Sequence, residues 1–303
     1  MRRFTVLLAL AALLAVAQPA LAGARVSPQA AGLQVALRAY GLYSGPVDGI
    51  AGPATVRGVK RFQRRVGLRP NGRAGAATRR ALGPLGGPLF GRRTLRRGLF
   101  GWDVSVLQFL LARRGALVPI SGYFDGRTER ALRSFQKARR LAADGVAGDR
   151  TLAAFRRRSP QAVRPVLVNA TTPATQVRTL LDHWAGHYGV DVKLVRAVAW
   201  MESGFQTNLT SAAGAWGVMQ ILPPTWSYVE TVLLSGTKVP RTASGNIRVG
   251  VLYLRQLLRE FNGNEHRALA GWYQGPASVR KNGVLAETKT FVANVLALRS
   301  SNV

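Results

Sequence analysis

Asp191-Val192-Lys193-Leu194-Val195-Arg196-Ala197-Val198-Ala199-Trp200-Met201-Glu202-Ser203-Gly204-Phe205 is the stretch that decides how the last third of this chain folds. Leu194, Val195, Val198, Met201 and Phe205 recur with the period of a helix that buries one face, and Asp191 is a residue type that caps a first turn. Glu202 falls four residues after Val198, on the edge of that stripe. Its neighbours Val198, Trp200 and Met201 are apolar, and no basic residue stands within five positions. A carboxyl group so placed is desolvated, which raises its pKa and keeps a proton available near neutral pH, as a general acid requires. Position alone favours a plainer reading, an exposed glutamate at a helix end.

Upstream the chain repeats itself. A shift of 73 residues lays Val47 on Ile120, Gly49 on Gly122, Thr55 on Thr128, Phe62-Gln63 on Phe135-Gln136, Leu68 on Leu141 and Gly72 on Gly145. One further residue of offset lays Leu33-Gln34 on Leu107-Gln108. So many coincidences mark a duplicated unit. Thr55, Val59, Phe62 and Val66 follow helical spacing, so each unit is expected to centre on an amphipathic helix. A second helix is expected from Leu33 to Tyr40 and a third from Ala77 to Leu82. Phe62 and Phe135 read as core, with Gln63 and Gln136 bonding locally.

Forty-three Lys and Arg against thirteen Asp and Glu leave a net charge of +30. Residues 25 to 165 hold 28 basic and 6 acidic residues, so most of the excess precedes the Glu202 segment. Such a surface attracts polyanions. There is no cysteine, which excludes disulfides, thiolate metal sites and a cysteine nucleophile, and three histidines argue against a histidine-rich metal site. No metal or cofactor is expected. Met1-Arg2-Arg3, an apolar run from Val6 to Ala17 and Ala20-Leu21-Ala22 make a secretory leader too short to span a bilayer. Export, with no stable membrane insertion after cleavage, turns the charge toward envelope polymers rather than nucleic acid.

Leu33-Gln34, Tyr43-Ser44-Gly45-Pro46-Val47-Asp48-Gly49, Phe62-Gln63 and Asn71-Gly72, echoed by Leu107-Gln108, Phe124, Thr128, Phe135-Gln136 and Asp144-Gly145, resemble the three-helix peptidoglycan-binding domain. The second copy has Ser121 where the first has Asp48. Further on, Glu202-Ser203-Gly204-Phe205, Ala215-Trp216-Gly217-Val218-Met219-Gln220-Ile221, Asn246-Ile247 and Gly271-Trp272-Tyr273-Gln274-Gly275-Pro276 resemble, in order and spacing, the soluble lytic transglycosylases with a goose-type lysozyme-like domain. The resemblances imply a mainly α protein: leader 1–24, binding repeats 27–83 and 99–156, linkers 84–98 and 157–174, and a catalytic domain 175–303. They also imply a bacterial periplasmic or cell-wall enzyme. It would cleave the link between N-acetylmuramic acid and N-acetylglucosamine and leave a 1,6-anhydro sugar.

On that resemblance Glu202 is the catalytic acid. Ser203, Gly217, Val218, Met219, Gln220, Asn246, Trp272, Tyr273 and Gln274 are implied to bind substrate. Ser203 either bonds the sugar acetamido group or caps the helix end. Where the family commonly has Ala-Tyr-Asn-Ala-Gly-Pro this chain puts Trp272 in the tyrosine position and Tyr273 in the asparagine position, so any of Trp272, Tyr273 or Gln274 could orient the acid. The expected partners are peptidoglycan strands and anionic wall polymers. A hydrolase of the lysozyme type would need a second carboxylate, with Glu230 and Glu287 the first to test, and a wall-binding scaffold would need none. Every implied catalytic residue lies beyond Asp191, which predicts a flexibly tethered catalytic domain that cuts by itself.

Overall fold

A computed structural model describes residues 26–156 and 174–301. The leader expected over 1–24 and residues 157–173 of the second connector lie outside the described residues. The described chain is helical, with isolated bridges in place of strands. Repeat 1 contributes α1 (Pro28–Ala39), α2 (Pro53–Arg65) and α3 (Ala76–Ala81). Repeat 2 contributes α4 (Trp102–Ala112), α5 (Gly126–Ala138) and α6 (Asp149–Arg156). The last third contains α7 (Ala174–Tyr188), α8 (Val192–Ser203), α9 (Pro223–Tyr228), α10 (Ala243–Glu260), α11 (Glu265–Gln274), α12 (Pro276–Asn282) and α13 (Ala286–Ser300). Between α9 and α10, Val229–Leu233 forms a π-helical turn.

Each repeat is held by buried glutamines that close its turns. Gln34 donates through Nε2 to Asp48 Oδ1 (2.7 Å) and Ile50 O (3.0 Å), and its Oε1 accepts from Gly49 N (2.9 Å). Gln108 does the same work in repeat 2, donating to Tyr123 O (2.7 Å) and accepting from Ser121 N (3.0 Å) and Gly122 N (2.9 Å). Gln63 and Gln136 clamp the following turns through Gly72 N and Gly145 N. An amide has two donors and a two-lone-pair acceptor, so one side chain satisfies a whole buried turn. Phe62 and Phe135 are core, as the repeat predicts, whereas Val66 ends α2 at 39% exposure.

The expectation of freely tethered modules is overturned. One apolar core runs through all three units, joining Val35 and Phe62 of repeat 1, Phe109 and Ile120 of repeat 2, and Trp200 and Phe291 of the last third. The first helices of the repeats, α1 and α4, pack together: Trp102 Nε1 donates to Gln29 Oε1 (2.7 Å), and its indole lies where a Cβ on Gly32 would come within 2.6 Å. Residues 84–98 are themselves packed, with Leu85 and Leu95 buried and Leu95 paired with Ala147 through two backbone bonds. The buried Arg178 on α7 donates to Ala39 O of repeat 1 (2.6 Å).

Helix α8 is the hub. Asp191 caps it by accepting from Lys193 N (2.8 Å), and it packs against α7 and α13. Trp200 lies off the stripe read in the sequence yet is fully buried. Repeat 2 explains this, because Trp200 Nε1 donates to Ser121 O (2.9 Å) and Gly204, at φ +62°, ends the helix with Ser121 and Ile120 closely apposed. The sequence stripe marks one buried face, and the second repeat covers another.

Candidate active site

Glu202 occupies the last turn of α8, at the base of a cleft of about 530 Å³. Protein crowds its carboxyl group on most sides while one face opens to the cleft. Burial pushes its pKa up to about 7; the hydrogen bond from Trp272 and the charge of Arg127 pull it down, and Asp125 adds to the rise. The bond settles which residue of the 272–274 motif touches the acid: Trp272 Nε1 donates to Glu202 Oε1 at 2.9 Å. Trp272 projects from α11 and is flanked by Tyr253 of α10, ring centroids 5.6 Å apart. Indole only donates, so in this pair Glu202 must supply the acceptor, which leaves its proton for the other oxygen.

Of the other implied site residues, Gln220 and Tyr273 also line the cleft. Gln220, in the left-handed region at φ +46°, donates to Gly217 O (2.7 Å) and Leu209 O (3.0 Å), and its Oε1 accepts from Arg127. Tyr273 stacks on Phe291 (4.6 Å) and donates from its hydroxyl to Glu287.

Six implied residues sit behind the cleft instead. Ser203 Oγ donates to Val218 O (2.7 Å) and accepts from Gln206 N (3.1 Å), so it ties the helix end to the following loop and has no hydroxyl proton left for a sugar. Val218 and Met219 are fully buried. Asn246, also fully buried, receives Met219 N on Oδ1 (2.8 Å) and donates to Trp216 O (2.7 Å). Gly217, at φ +79°, is needed because a Cβ there would meet Asn246 at 2.6 Å, not because a sugar passes. Gln274 is turned away, bonding Ser278 Oγ (3.0 Å), Gly283 O (2.9 Å) and Leu285 N (3.1 Å). These side chains fix the loop that carries Gln220 and the end of α11 that carries Trp272.

The sequence missed the opposite wall. Arg97, Tyr123, Asp125 and Arg127 come from repeat 2 and its lead-in, and they face Glu202 across the cleft. Glu287, read as a surface residue, also lines it and pairs with Arg97 at 2.7 Å. Asp125 Oδ1 caps α5 by accepting from Thr128 N (2.8 Å). Its Oδ2 lies 3.3 Å from Arg127 Nε. Glu230 is outside this group: it accepts from Trp226 Nε1 (3.0 Å), Val239 N (2.9 Å) and Lys238 Nζ (3.0 Å), and these bonds hold its pKa down at about 2.

The fold and site together are those of a helical domain that presents one carboxyl group of raised pKa in an open cleft, with duplicated three-helix modules packed beside it. Residues 179–293 match the transglycosylase SLT domain, and residues 27–82 and 101–155 match the putative peptidoglycan binding domain. The chain thus consists of an SLT transglycosylase domain preceded by two peptidoglycan-binding domains. It is 36% identical over 151 residues to the N-acetylmuramoyl-L-alanine amidase CwlM of Mycobacterium tuberculosis, covering 45% of this chain and 36% of that protein. Among solved structures it is similar to an inactive variant of the lytic transglycosylase Slt from Pseudomonas aeruginosa (22% identity, 65% of this chain, 34% of that one, TM-score 0.38). It is also similar to the 70 kDa soluble lytic transglycosylase of Escherichia coli (15% identity, 82% and 42%, TM-score 0.40). The chain spans about a third to two fifths of the length of these relatives.

Proposed function

We propose that this protein is an exported peptidoglycan lytic transglycosylase acting in the periplasm or cell wall. The observation that carries the reading is Glu202: a carboxyl group raised to about 7, held by one indole donor and lining an open cleft of about 530 Å³. Below that pKa it holds a proton to give to the glycosidic oxygen as the bond to the anomeric carbon breaks. The sugar's acetamido oxygen covers the anomeric carbon on the opposite side, as in substrate-assisted glycosidases. The muramic C6 hydroxyl then attacks that carbon and returns its proton to the Glu202 carboxylate. A 1,6-anhydro ring forms, no water is consumed, and Glu202 ends protonated as it began.

Asp125 and Glu287 also border the cleft, so a two-carboxylate hydrolase is the second reading. Both are engaged, Asp125 with Arg127 and a helix cap, Glu287 with Arg97 and Tyr273. Mass analysis of products from purified sacculi separates the readings. Anhydro-muramic ends, one water lighter and resistant to borohydride, support the lyase, and reducible ends replace it with the hydrolase.

Glu202→Gln is expected to lower turnover by at least ~100-fold, the usual scale for losing a general acid, while binding to sacculi persists. A variant that keeps a tenth of the activity would remove Glu202 from this role. Linkage offers an independent check. Between the ordinary 4.5 and about 7 the folded state holds a proton that the unfolded state has lost, so Glu202 costs stability progressively as pH rises through that window. Glu202→Gln escapes this cost, and it should melt higher than the wild type at pH 8 but not at pH 4.

A further inference from the structure

Two concavities meet at the same pair of side chains. One is the cleft over Glu202. The other, about 520 Å³, lies on repeat 2 alone, between the loop after α4 and the outer face of α5, where Arg114, Leu117, Ser134 and Phe135 line it. Arg127 and Arg130 line both. The two hollows are therefore neighbours, with two arginines at their border.

One guanidinium at that border is incompletely used. Arg127 turns Nε toward Asp125 and Nη2 to Gln220 Oε1, but Nη1 is buried with no hydrogen-bond acceptor. A buried cationic donor left unmade is costly, so this guanidinium has more donor capacity than its two contacts use. Arg130, one turn further along α5, is exposed and enters no ion pair among the described residues. It gathers with Arg97 around Gly126, where an added Cβ would lie 3.6 Å from Arg130 Nη1 and 4.0 Å from Arg97 Cζ. Glu287 neutralises Arg97 and Asp125 pairs with Arg127, so Arg130 carries the available charge and Arg127 adds an incompletely bonded guanidinium fork beside it.

The groove beyond them presents no aromatic face on which a sugar ring could stack. Phe135 is stacked by Phe155 at 3.9 Å and approached by Arg114 and Arg139, so it offers no free aromatic face. Leu117, 94% exposed, supplies an apolar edge instead. In a strand of neutral N-acetyl sugars the anionic groups belong to the peptide branches, and a carboxylate matches the guanidinium fork.

We infer that repeat 2 is part of the substrate site: Arg127, with Arg130 beside it, takes a carboxylate of the peptide branch on the strand seated over Glu202, and the groove takes the rest of that branch. The inference rests on the peptidoglycan reading above. It makes Arg127 a specificity residue contributed by a binding module, and substrate would compete with Gln220 for its Nη2.

The test uses the full chain carrying Glu202→Gln, so that ligand is not consumed, and isothermal titration with three probes. These are a muropeptide tetrasaccharide with its tetrapeptides, the same with the peptide carboxylates converted to amides, and the sugar without peptides, its muramic lactyl carboxyls capped as simple amides. The acid form is expected to bind at least tenfold more tightly than the bare sugar. Amidation should remove most of that difference. Adding Arg127→Gln should remove it as well, with little further loss when both changes are combined, the signature of one shared contact. Amidated and acid forms binding within twofold of each other would overturn the inference, and so would equal weakening by Arg127→Gln toward peptide-bearing and bare sugar. The ligand-side change leaves the protein unaltered, so a folding defect cannot imitate it. Failure of the lyase reading would show separately, as wild-type digests without anhydro ends.

Discussion

The two repeats share a fold and a set of glutamine clamps, but they are used differently. Repeat 1 keeps Asp48 within its own turn, where Oδ1 receives Gln34 Nε2 and Ile50 N. In repeat 2 the matching Ser121 still bonds two residues ahead, to Tyr123 N at 3.2 Å, but its carbonyl is given to Trp200 of the SLT domain. The α2 face of repeat 1 leaves Arg57, Lys60, Arg61 and Arg64 exposed, whereas α5 of repeat 2 turns Arg127 into the cleft. Both copies of the module thus share their internal chemistry, while the second is packed into the wall of the Glu202 cleft.

The largest expected effect comes from undoing that packing. A fragment beginning at residue 174 loses the cover over Trp200, the acceptor for its indole and one wall of the cleft. It is expected to melt at least ~10 °C lower, since several kcal/mol of burial disappear, and to lose most activity on soluble glycans. Differential scanning calorimetry and a soluble-substrate assay check this, and full retention would restore the tethered arrangement that the sequence suggests. Trp272→Phe sharpens the comparison from the SLT side. The donor to Glu202 stabilises its charged form, so removing it raises the pKa further. The alkaline limb of the activity profile, set near 7, should move upward while the rate at lower pH falls about tenfold as the acid loses its anchor. A downward or absent shift contradicts the assignment. The smallest effect belongs to repeat 1. Neutralising Arg57, Arg61 and Arg64 together should weaken pull-down on sacculi a few-fold at low salt and not at high salt, because exposed charges are screened beyond ~8 Å at physiological ionic strength. Folding stability should change by less than ~0.5 kcal/mol per site.

What the sequence made legible was local or duplicated. The α8 stripe, the Asp191 cap and the absence of basic residues around Glu202 all lie within one helix, and the repeats expose their clamps by recurring. Arg127 left no such trace, since it stands 75 positions before Glu202 and looks like one more arginine in a basic module. Ser203, left open between a sugar and the helix end, and Asn246, taken as a sugar contact, were obscure for the opposite reason: their polar groups suit a sugar as well as a backbone, and only the folded chain reveals that backbone carbonyls and amides already occupy them. Trp272 was ambiguous because a motif position specifies a residue type without its direction.

The carbonyl of Ser121, closed onto Trp200, has a consequence for motion. A catalytic head on a loose leash sweeps a circle around its anchor and can cut many bonds per attachment. Here repeat 2 and the Glu202 domain share one packed core, so on the proposed function the reach of the blade is the footprint of the body that grips. If the protein acts as proposed, severing the next bond requires the whole body to let go or slide, which would tie each turnover on an insoluble wall to the release rate of the second repeat.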